Sequence, residues 1–295
     1  MLLVSCGNAG YKVTPSGVKY SIFSKGSGKS IKPGDWIKVH FSAKIGDSSL
    51  ISTYTHIPAY GQYDTTMKNT HDFIDFLGEL KIGDSVVFLR SVDTLQKRGY
   101  LQYNDVFKAG GIINGAITIL GIYPNQQAVM EDQQKETELE KQREVVALEQ
   151  YLKDQKVEGL IKTKNGIFIK MEKQGDGPKV DTGSTVIVNY TGTLKNGSKF
   201  DSNLDSAFGH VEPLNFVVGA GGVIPGWDEA ALYFNKGGKG KVYIPAMLGY
   251  GGNGSGDKIP PFSDLVFDME VIDVKAPTVA PATAPPAPVN PHAGH

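Results

Sequence analysis

The chain repeats itself, and this constrains its fold more than any single motif does. "GVKYSIFSKGSGKSIKPGDWIKVHFSAKI", from Gly17, lies over "GIFIKMEKQGDGPKVDTGSTVIVNYTGTL", from Gly166. Gly26 then meets Gly175, Gly28 meets Gly177, Gly34 meets Gly183 and Phe41 meets Tyr190, all at one interval of 149 residues. Farther on, "LKIGDSVVFLR" echoes "NKGGKGKVYI", with Gly83 falling on Gly237. An interval kept through turns and strands alike indicates two copies of one domain. At 295 residues and 40% hydrophobic, the chain has enough apolar matter for two cores of ordinary size. Its 36 glycines exceed the roughly 7% of an average chain and fall between short β-rich runs, which favours antiparallel sheet with tight turns.

The copies set the expected boundaries: a first domain over residues 11–125, a helix over 126–156, a second domain over 157–275 and a tail over 276–295. Residues 126–156 contain no Gly or Pro and are dense in Glu, Gln, Lys and Leu, a composition of high helix propensity. The first half of that helix is polar all round, while Leu139, Val145, Leu148 and Leu152 fall near one stripe. The stripe is too short for a coiled-coil seam, so the segment reads as a solvated spacer whose last turns rest on the second domain; the sequence leaves a homodimer open. The tail "APTVAPATAPPAPVNPHAGH" is Pro/Ala-rich and reads as extended and disordered, and its His292 and His295 are assigned no metal.

Residues 1–10 hold the only cysteine, Cys6, which excludes an internal disulfide and Cys/Cys metal sites. "LVSC" resembles the lipobox of bacterial lipoproteins, in which the cysteine is lipidated and becomes the mature N-terminus. A signal peptide needs an apolar region of about 7 to 15 residues, so this reading implies a longer precursor. It also implies the periplasmic side of a bacterial envelope, with membrane contact only through the lipid anchor. No run of 18 apolar residues occurs to span a bilayer as a helix. Thirty Lys and Arg against 31 Asp and Glu supply no basic field, so nucleic acid is not an expected partner.

In the second copy, "STVIVNYTGTL" and "DLVFDMEVIDV" alternate as half-buried strands do. "PGWDEAALYFNKGG" reads as one short helix with Trp227, Ala231 and Phe234 on one side, acids in the first turn and Gly237-Gly238 at its end. Packing that helix across a curved antiparallel sheet buries both apolar faces, an α+β arrangement. The usual enzyme signatures are missing. "GYGGNGSGDK" lacks the Gly-Lys-Ser/Thr end of a P-loop, "GAGGVIPG" lacks the third glycine of a dinucleotide fingerprint, and neither G-x-S-x-G nor H-E-x-x-H occurs. The second copy carries one histidine, His210, so hydrolytic and metal chemistry lack their residues, and no metal or cofactor is expected.

What remains is a density of aromatic and branched residues beside turns: Tyr190, Phe200, Phe216, Val223, Ile224, Trp227, Tyr250, Ile259 and Phe267. "VNYTGTLKNGSKFDSN", "VIPGWDEAA", "YIPAMLGYGG" and "IPPFSDLVFDMEVI" resemble, in that order, the pocket segments of FKBP-type peptidyl-prolyl cis-trans isomerases over about residues 160–275. The resemblance implies two FKBP-like domains, each a curved antiparallel sheet wrapped on a short helix, joined by a long helix. It implies that Trp227 forms the pocket floor, its indole face meeting a substrate proline, with Tyr190, Phe200 and Phe267 as walls. Val223 and Ile224 become the rim, the Ile224 N–H donating to a bound carbonyl; Tyr250 reaches a second carbonyl, and Asp201 faces the twisting amide. Leu214, Phe216 and Ile259 complete the substrate surface. Proline-containing polypeptides, such as folding envelope proteins, and macrolide inhibitors of the FKBP class are the implied ligands. The competing reading is a non-catalytic peptide-binding chaperone or envelope adaptor.

The sequence departs from the family in two places. An arginine that braces the aspartate in many members has Ser206 as its nearest counterpart, and residues 201–213 carry an insertion. In the first copy, alignment sets Phe41 at Tyr190, Ile51 at Phe200, Ser52 at Asp201, Thr70 at Ile224 and Phe73 at Trp227. Gln96 falls at Tyr250, with Tyr100 and Tyr103 near enough to substitute, and "IPP" is absent. A framework without a pocket implies a first domain that is no isomerase and serves in client holding or self-association.

Overall fold

The computed structural model describes residues 10–24, 28–67 and 74–277. Cys6, Gly26, Thr70, Phe73 and the tail histidines lie outside the described residues. The chain divides into two compact units after Glu140. Among the described residues each unit holds one seven-stranded sheet, and every pairing is antiparallel.

The first unit contains β1 (Lys12–Val13), β2 (Lys19–Phe23), β3 (Trp36–Ile45), β4 (Ser48–Ser52), β5 (Ala59–Gln62), α1 (Ile74–Leu77), β6 (Ser85–Ser91), α2 (Val92–Lys97) and β7 (Ile112–Tyr123). Its sheet runs β1-β2-β6-β7-β3-β4, with β5 also on β3. Alternation along β7 sends Ile113, Ile117 and Ile119 inward, Ile117 and Ile119 onto Ile74, Phe76 and Leu77 of α1 and Phe88, and Ile113 onto Ala43, Val92 and Leu95. Helix α3 (Gln126–Asp154) begins in this unit.

The second unit contains β8 (Leu160–Lys162), β9 (Phe168–Lys173), β10 (Thr185–Leu194), β11 (Lys199–Ser202), β12 (Leu214–Val217), α4 (Pro225–Ala231), β13 (Lys239–Ile244) and β14 (Leu265–Lys275). The order β8-β9-β13-β14-β10-β11, with β12 also on β10, repeats that of the first unit strand for strand. Even the irregularities correspond: register shifts between Lys38 and Val39 and between Ala43 and Lys44 match those between Ile187 and Val188 and between Gly192 and Thr193.

The pairing corrects the sequence alignment beyond the first hairpin. Ser42 pairs with Ser52 and Ala43 with Ile51, whereas Thr191 pairs with Ser202 and Gly192 with Asp201. The first hairpin connection is one residue shorter, so Leu50 stands at Phe200 and Ile51 at Asp201, not Ile51 and Ser52. Ile51 is 51% exposed.

Two helices also differ from expectation. Helix α3 stops at Asp154 because Lys156 takes φ 54°, which lets the Val157 N–H reach back to the Leu152 carbonyl at 3.0 Å. Val145, Leu148 and Leu152 pack onto Phe168, Tyr243 and Val266, but Leu139 is 47% exposed. Six residues separate Leu139 from Val145, about 120° off the stripe at 100° per residue. The buried face continues instead through Glu144 and Glu140, 9% and 1% exposed. Nor is the polar first half simply solvated, since Lys38 meets Asp132 and Glu136, each at 2.7 Å, and His56 Nδ1 lies 2.8 Å from Glu140. Helix α4 ends at Ala231, and Phe234 is buried from the turn that follows.

Candidate active site

Strand periodicity assembles the site in the second unit. Tyr190 on β10, Phe200 on β11, Phe216 on β12 and Phe267 on β14 point from the concave face toward α4, which carries Trp227. Pro225 occupies the first turn of α4, where its fixed φ suits a helix start and no N–H is missed. Two turns of helix are enough to lay the indole against the sheet. The Trp227 ring meets Tyr190 at 5.0 Å and Phe267 at 5.1 Å, both edge-on, and Phe216 at 5.8 Å. Phe200 meets Phe267 edge-on at 5.5 Å. Such contacts set the electropositive edge of one ring on the face of another and fix the box geometry. Gly192 makes the corner, because an added Cβ would stand 2.5 Å from the Phe200 ring. Trp227 is only 3% exposed, and its indole N–H is buried without a partner among the described residues.

The polar edge of the box is Asp201. One carboxylate oxygen accepts from the Tyr190 hydroxyl at 2.6 Å, and the other lies 2.8 Å from His210 Nε2 and accepts from the Ser202 N–H. Burial opposes the Asp201 charge, but the bonds from Tyr190 and His210 outweigh it and hold the carboxyl below its ordinary range. Burial and the bond to Asp201 push the Tyr190 phenol up, so it stays a donor. Burial, and then the Asp201 charge, raise Tyr250 as well. Tyr250 is 39% exposed, and its hydroxyl makes no hydrogen bond among the described residues.

Val223, Ile224 and Leu214 are partly buried against the same cluster, and Ile259 lies within it. The loop above is closed by paired backbone bonds between Ser255 and Ile259, at 2.8 and 3.1 Å. Lys258 reaches across to the Phe200 carbonyl at 3.4 Å and sits 4.7 Å over the Phe208 ring. No described hydrogen bond uses the Ile224 N–H.

Sequence reasoning missed three residues. His210 stands where an arginine was sought at Ser206; a signal existed, since residues 201–213 hold no Lys or Arg and this one histidine. Asn203, buried, accepts from the Tyr190 N–H at 2.8 Å and donates to the carbonyls of Val188 and Glu212. Glu144 of α3 accepts from the Met247 N–H at 2.7 Å, three residues before Tyr250.

The matching place in the first unit is different. Pairing sets Gly61 at Phe216 and Ala59 at Leu214, and Gly115 stands at Phe267. The Phe88 ring takes the space above Gly115, where an added Cβ would meet it at 1.9 Å. An apolar groove of about 420 Å³ remains, lined by Ile37, Val39, Phe41, Ile51 and Ile117 among others. Helix α2 packs Val92 and Leu95 beside Ala43 and Leu50. Gln96 lies on that helix, and the Tyr103 hydroxyl is bonded to Asp93 at 2.9 Å, while Tyr100 is exposed.

Residues 177–272 match the family of FKBP-type peptidyl-prolyl cis-trans isomerases. An FK506-binding protein of Neisseria meningitidis serogroup B is 42% identical over 109 residues, which cover 37% of this chain and 96% of the relative. The FKBP-type peptidyl-prolyl cis-trans isomerase FkpA of Aeromonas hydrophila is 32% identical over 199 residues, 67% of each chain. The crystal structure of FkpA from Escherichia coli aligns with 52% of this chain and 69% of that one at 35% identity, with a TM-score of 0.40. A matched family segment that contains the whole aromatic box, and relatives aligned over most of their own length, identify this chain as an enzyme that belongs to the FKBP-type peptidyl-prolyl cis-trans isomerases.

Proposed function

We propose that the second unit isomerises Xaa-Pro bonds in the crevice bounded by Tyr190, Phe200, Trp227 and Phe267. The observation that carries this is the edge-on packing of Tyr190 and Phe267 around the indole, with one carboxylate, Asp201, tied to Tyr190 at the border of an otherwise apolar box. A proline ring is flat, apolar and without a donor, and an aromatic box suits it. Rotation about the amide meets a barrier of about 18 to 20 kcal/mol because conjugation is lost. A site that holds the ring while the Ile224 N–H and the Tyr250 hydroxyl take the flanking carbonyls favours the twisted amide over either planar form. Leu214, Phe216, Val223 and Ile259 shape the walls around it. Catalysis is then differential binding and needs no nucleophile.

Proline-containing polypeptides of the bacterial envelope are the clients in this reading, with Cys6 as lipid anchor. The name FK506-binding protein, borne by the meningococcal relative, supports macrolide binding by the same crevice. For the first unit, the open apolar groove supports client holding without catalysis. The test is isomerisation of a short Xaa-Pro peptide by the full chain, with and without an FKBP-directed macrolide. Activity abolished by the macrolide is expected; activity that a saturating macrolide leaves unchanged would count against the crevice. For the anchor, a precursor made from the genomic upstream sequence in a Gram-negative host should partition with membranes and lose this with Cys6→Ser. A soluble wild-type product would refute it.

A further inference from the structure

We propose that His210 is a positioning residue that makes this isomerase pH-sensitive, its imidazole holding the Asp201 carboxylate against Tyr190 and holding it more firmly when charged. The proposal rests on the reading of Asp201 as the group that faces the twisting amide. A carboxylate turns easily about its last torsion, which has broad, shallow preferences. Here Tyr190 Oη at 2.6 Å holds one oxygen, and His210 Nε2 at 2.8 Å and the Ser202 N–H at 2.9 Å hold the other. Removing His210 leaves that second oxygen to the neutral Ser202 N–H alone, so the charge-assisted part of the grip is lost.

The loop that presents His210 is itself anchored on both sides. Before it, Asp205 caps the turn Ser206–Phe208 by accepting from the Ala207 N–H at 3.1 Å, and Gly209 ends that turn with φ 79°. After it, the Asn203 amide donates to the Glu212 carbonyl at 3.3 Å. The charged and titratable groups around it are few. Strand β10 brings Tyr190; β11 brings Asp201 and Lys199, the latter paired with Asp205 at 3.2 Å. The loop itself brings Glu212, and the loop above the crevice brings Tyr250, Asp257 and Lys258, whose ammonium is turned to the Phe200 carbonyl and the Phe208 ring. No lysine or arginine bonds Asp201 among the described residues, so His210 is the basic side chain that does.

Rotation about an amide transfers no proton, so the rate has no chemical reason to vary across neutral pH. Imidazole is the side chain that ordinarily changes charge between pH 5 and 8. Its neutral form donates from Nε2 in one tautomer only, whereas its charged form donates from both nitrogens and makes the stronger, charge-assisted bond. Activity should therefore fall as the imidazole loses its proton.

The test is the pH dependence of kcat/KM from 5 to 8 for the full chain, in a protease-free isomerisation assay on an Xaa-Pro peptide. Wild type should lose about three- to fivefold between the ends of that range, the scale of weakening one charge-assisted bond. His210→Arg, with a fixed charge, should be flat at the low-pH level, and His210→Gln flat at the high-pH level. A flat wild-type profile, or a step that survives His210→Gln, overturns the proposal. A chain inactive at every pH would condemn the crevice assignment instead. The proposal would still be judged by NMR titration of the Asp201 carboxyl, which His210→Gln should move upward and which stays put if the bond has no influence.

Discussion

Trp227 shows how one residue can belong to a proposed site and to the core at once. It touches Tyr190, Phe216 and Phe267 and is 3% exposed, so Trp227→Ala should cost stability on the scale of a core aromatic, about 3 to 5 kcal/mol, as well as ligand binding. Trp227→Leu separates the two: more of the core volume is kept, the aromatic floor is lost, and macrolide affinity should drop far more than the melting temperature. Tyr250→Phe is the complementary case. Its hydroxyl has no hydrogen bond among the described residues and the side chain is partly exposed, so thermal stability should not change while binding weakens by about 0.5 to 1.5 kcal/mol, the scale of one hydrogen bond. Calorimetric titration beside thermal melts reads both effects. Asp201 adds a pH dependence of definite sign. Its folded carboxyl is held below the ordinary value, so its stabilising contribution is full above about pH 4 and is lost as pH falls toward the folded value. Asp201→Asn should flatten part of the acid limb of the unfolding curve, and an unchanged limb would show the bonds to be energetically idle. At this scale the aromatic members were legible in the sequence because each sits beside a turn signal in a recognisable order. Asn203 was not, because it acts through loop hydrogen bonds that leave no periodicity, and His210 showed only as the lone histidine of a segment without Lys or Arg.

Helix α3 teaches the same lesson at the scale of an element. That a helix exists between the copies follows from composition; which face it buries does not. Its buried stripe starts with Val145, Leu148 and Leu152 and continues toward the N-terminus through Glu144 and Glu140, so a search for apolar spacing sees only half of it. The carboxylates are buried because partners await them, the Met247 N–H for Glu144 and His56 for Glu140. A fragment that begins at residue 157 would strip Leu148 and Leu152 from Phe168, Tyr243 and Val266, losing about 1.5 to 3 kcal/mol for each leucine, and would also free the segment that carries Tyr250. Residues 141–275 should therefore melt several degrees above residues 157–275 and bind macrolide more tightly. Equal melting of the two fragments would mean that the helix merely lies on the surface. Strand register, likewise, was legible up to the first hairpin turn and lost beyond it by a single residue, since glycine spacing locates a turn but does not count its length.

At the scale of the whole molecule, one strand order carries two different concave faces. The second unit fills its face with Phe216, Trp227 and Phe267 and borders it with Asp201; at the places of Phe216, Phe267 and Asp201 the first unit has Gly61, Gly115 and Ile51. The framework tolerates this because its stability comes from the strand ladders and from the pairing of inward residues with a short helix, none of which depends on a proline-sized box. Fold class was legible in the repeat for that reason, and the difference between the faces was legible only as missing motifs. Phe88 at the place of Val242 rebuilds the apolar contact that Gly115 gives up, so the first unit keeps a core, while among the described residues Gly61, Gly115 and Ile51 stand where the second unit has Phe216, Phe267 and Asp201. Residues 10–140, expressed alone, should fold cooperatively, since Phe76, Leu80, Val86 and Phe88 form a buried core within them, and should not accelerate Xaa-Pro isomerisation. Circular dichroism melts establish the folding and the peptide assay the inactivity. Catalysis by that fragment, abolished by a substitution within its groove such as Phe41→Ala, would show that an apolar groove suffices and would make both units enzymes.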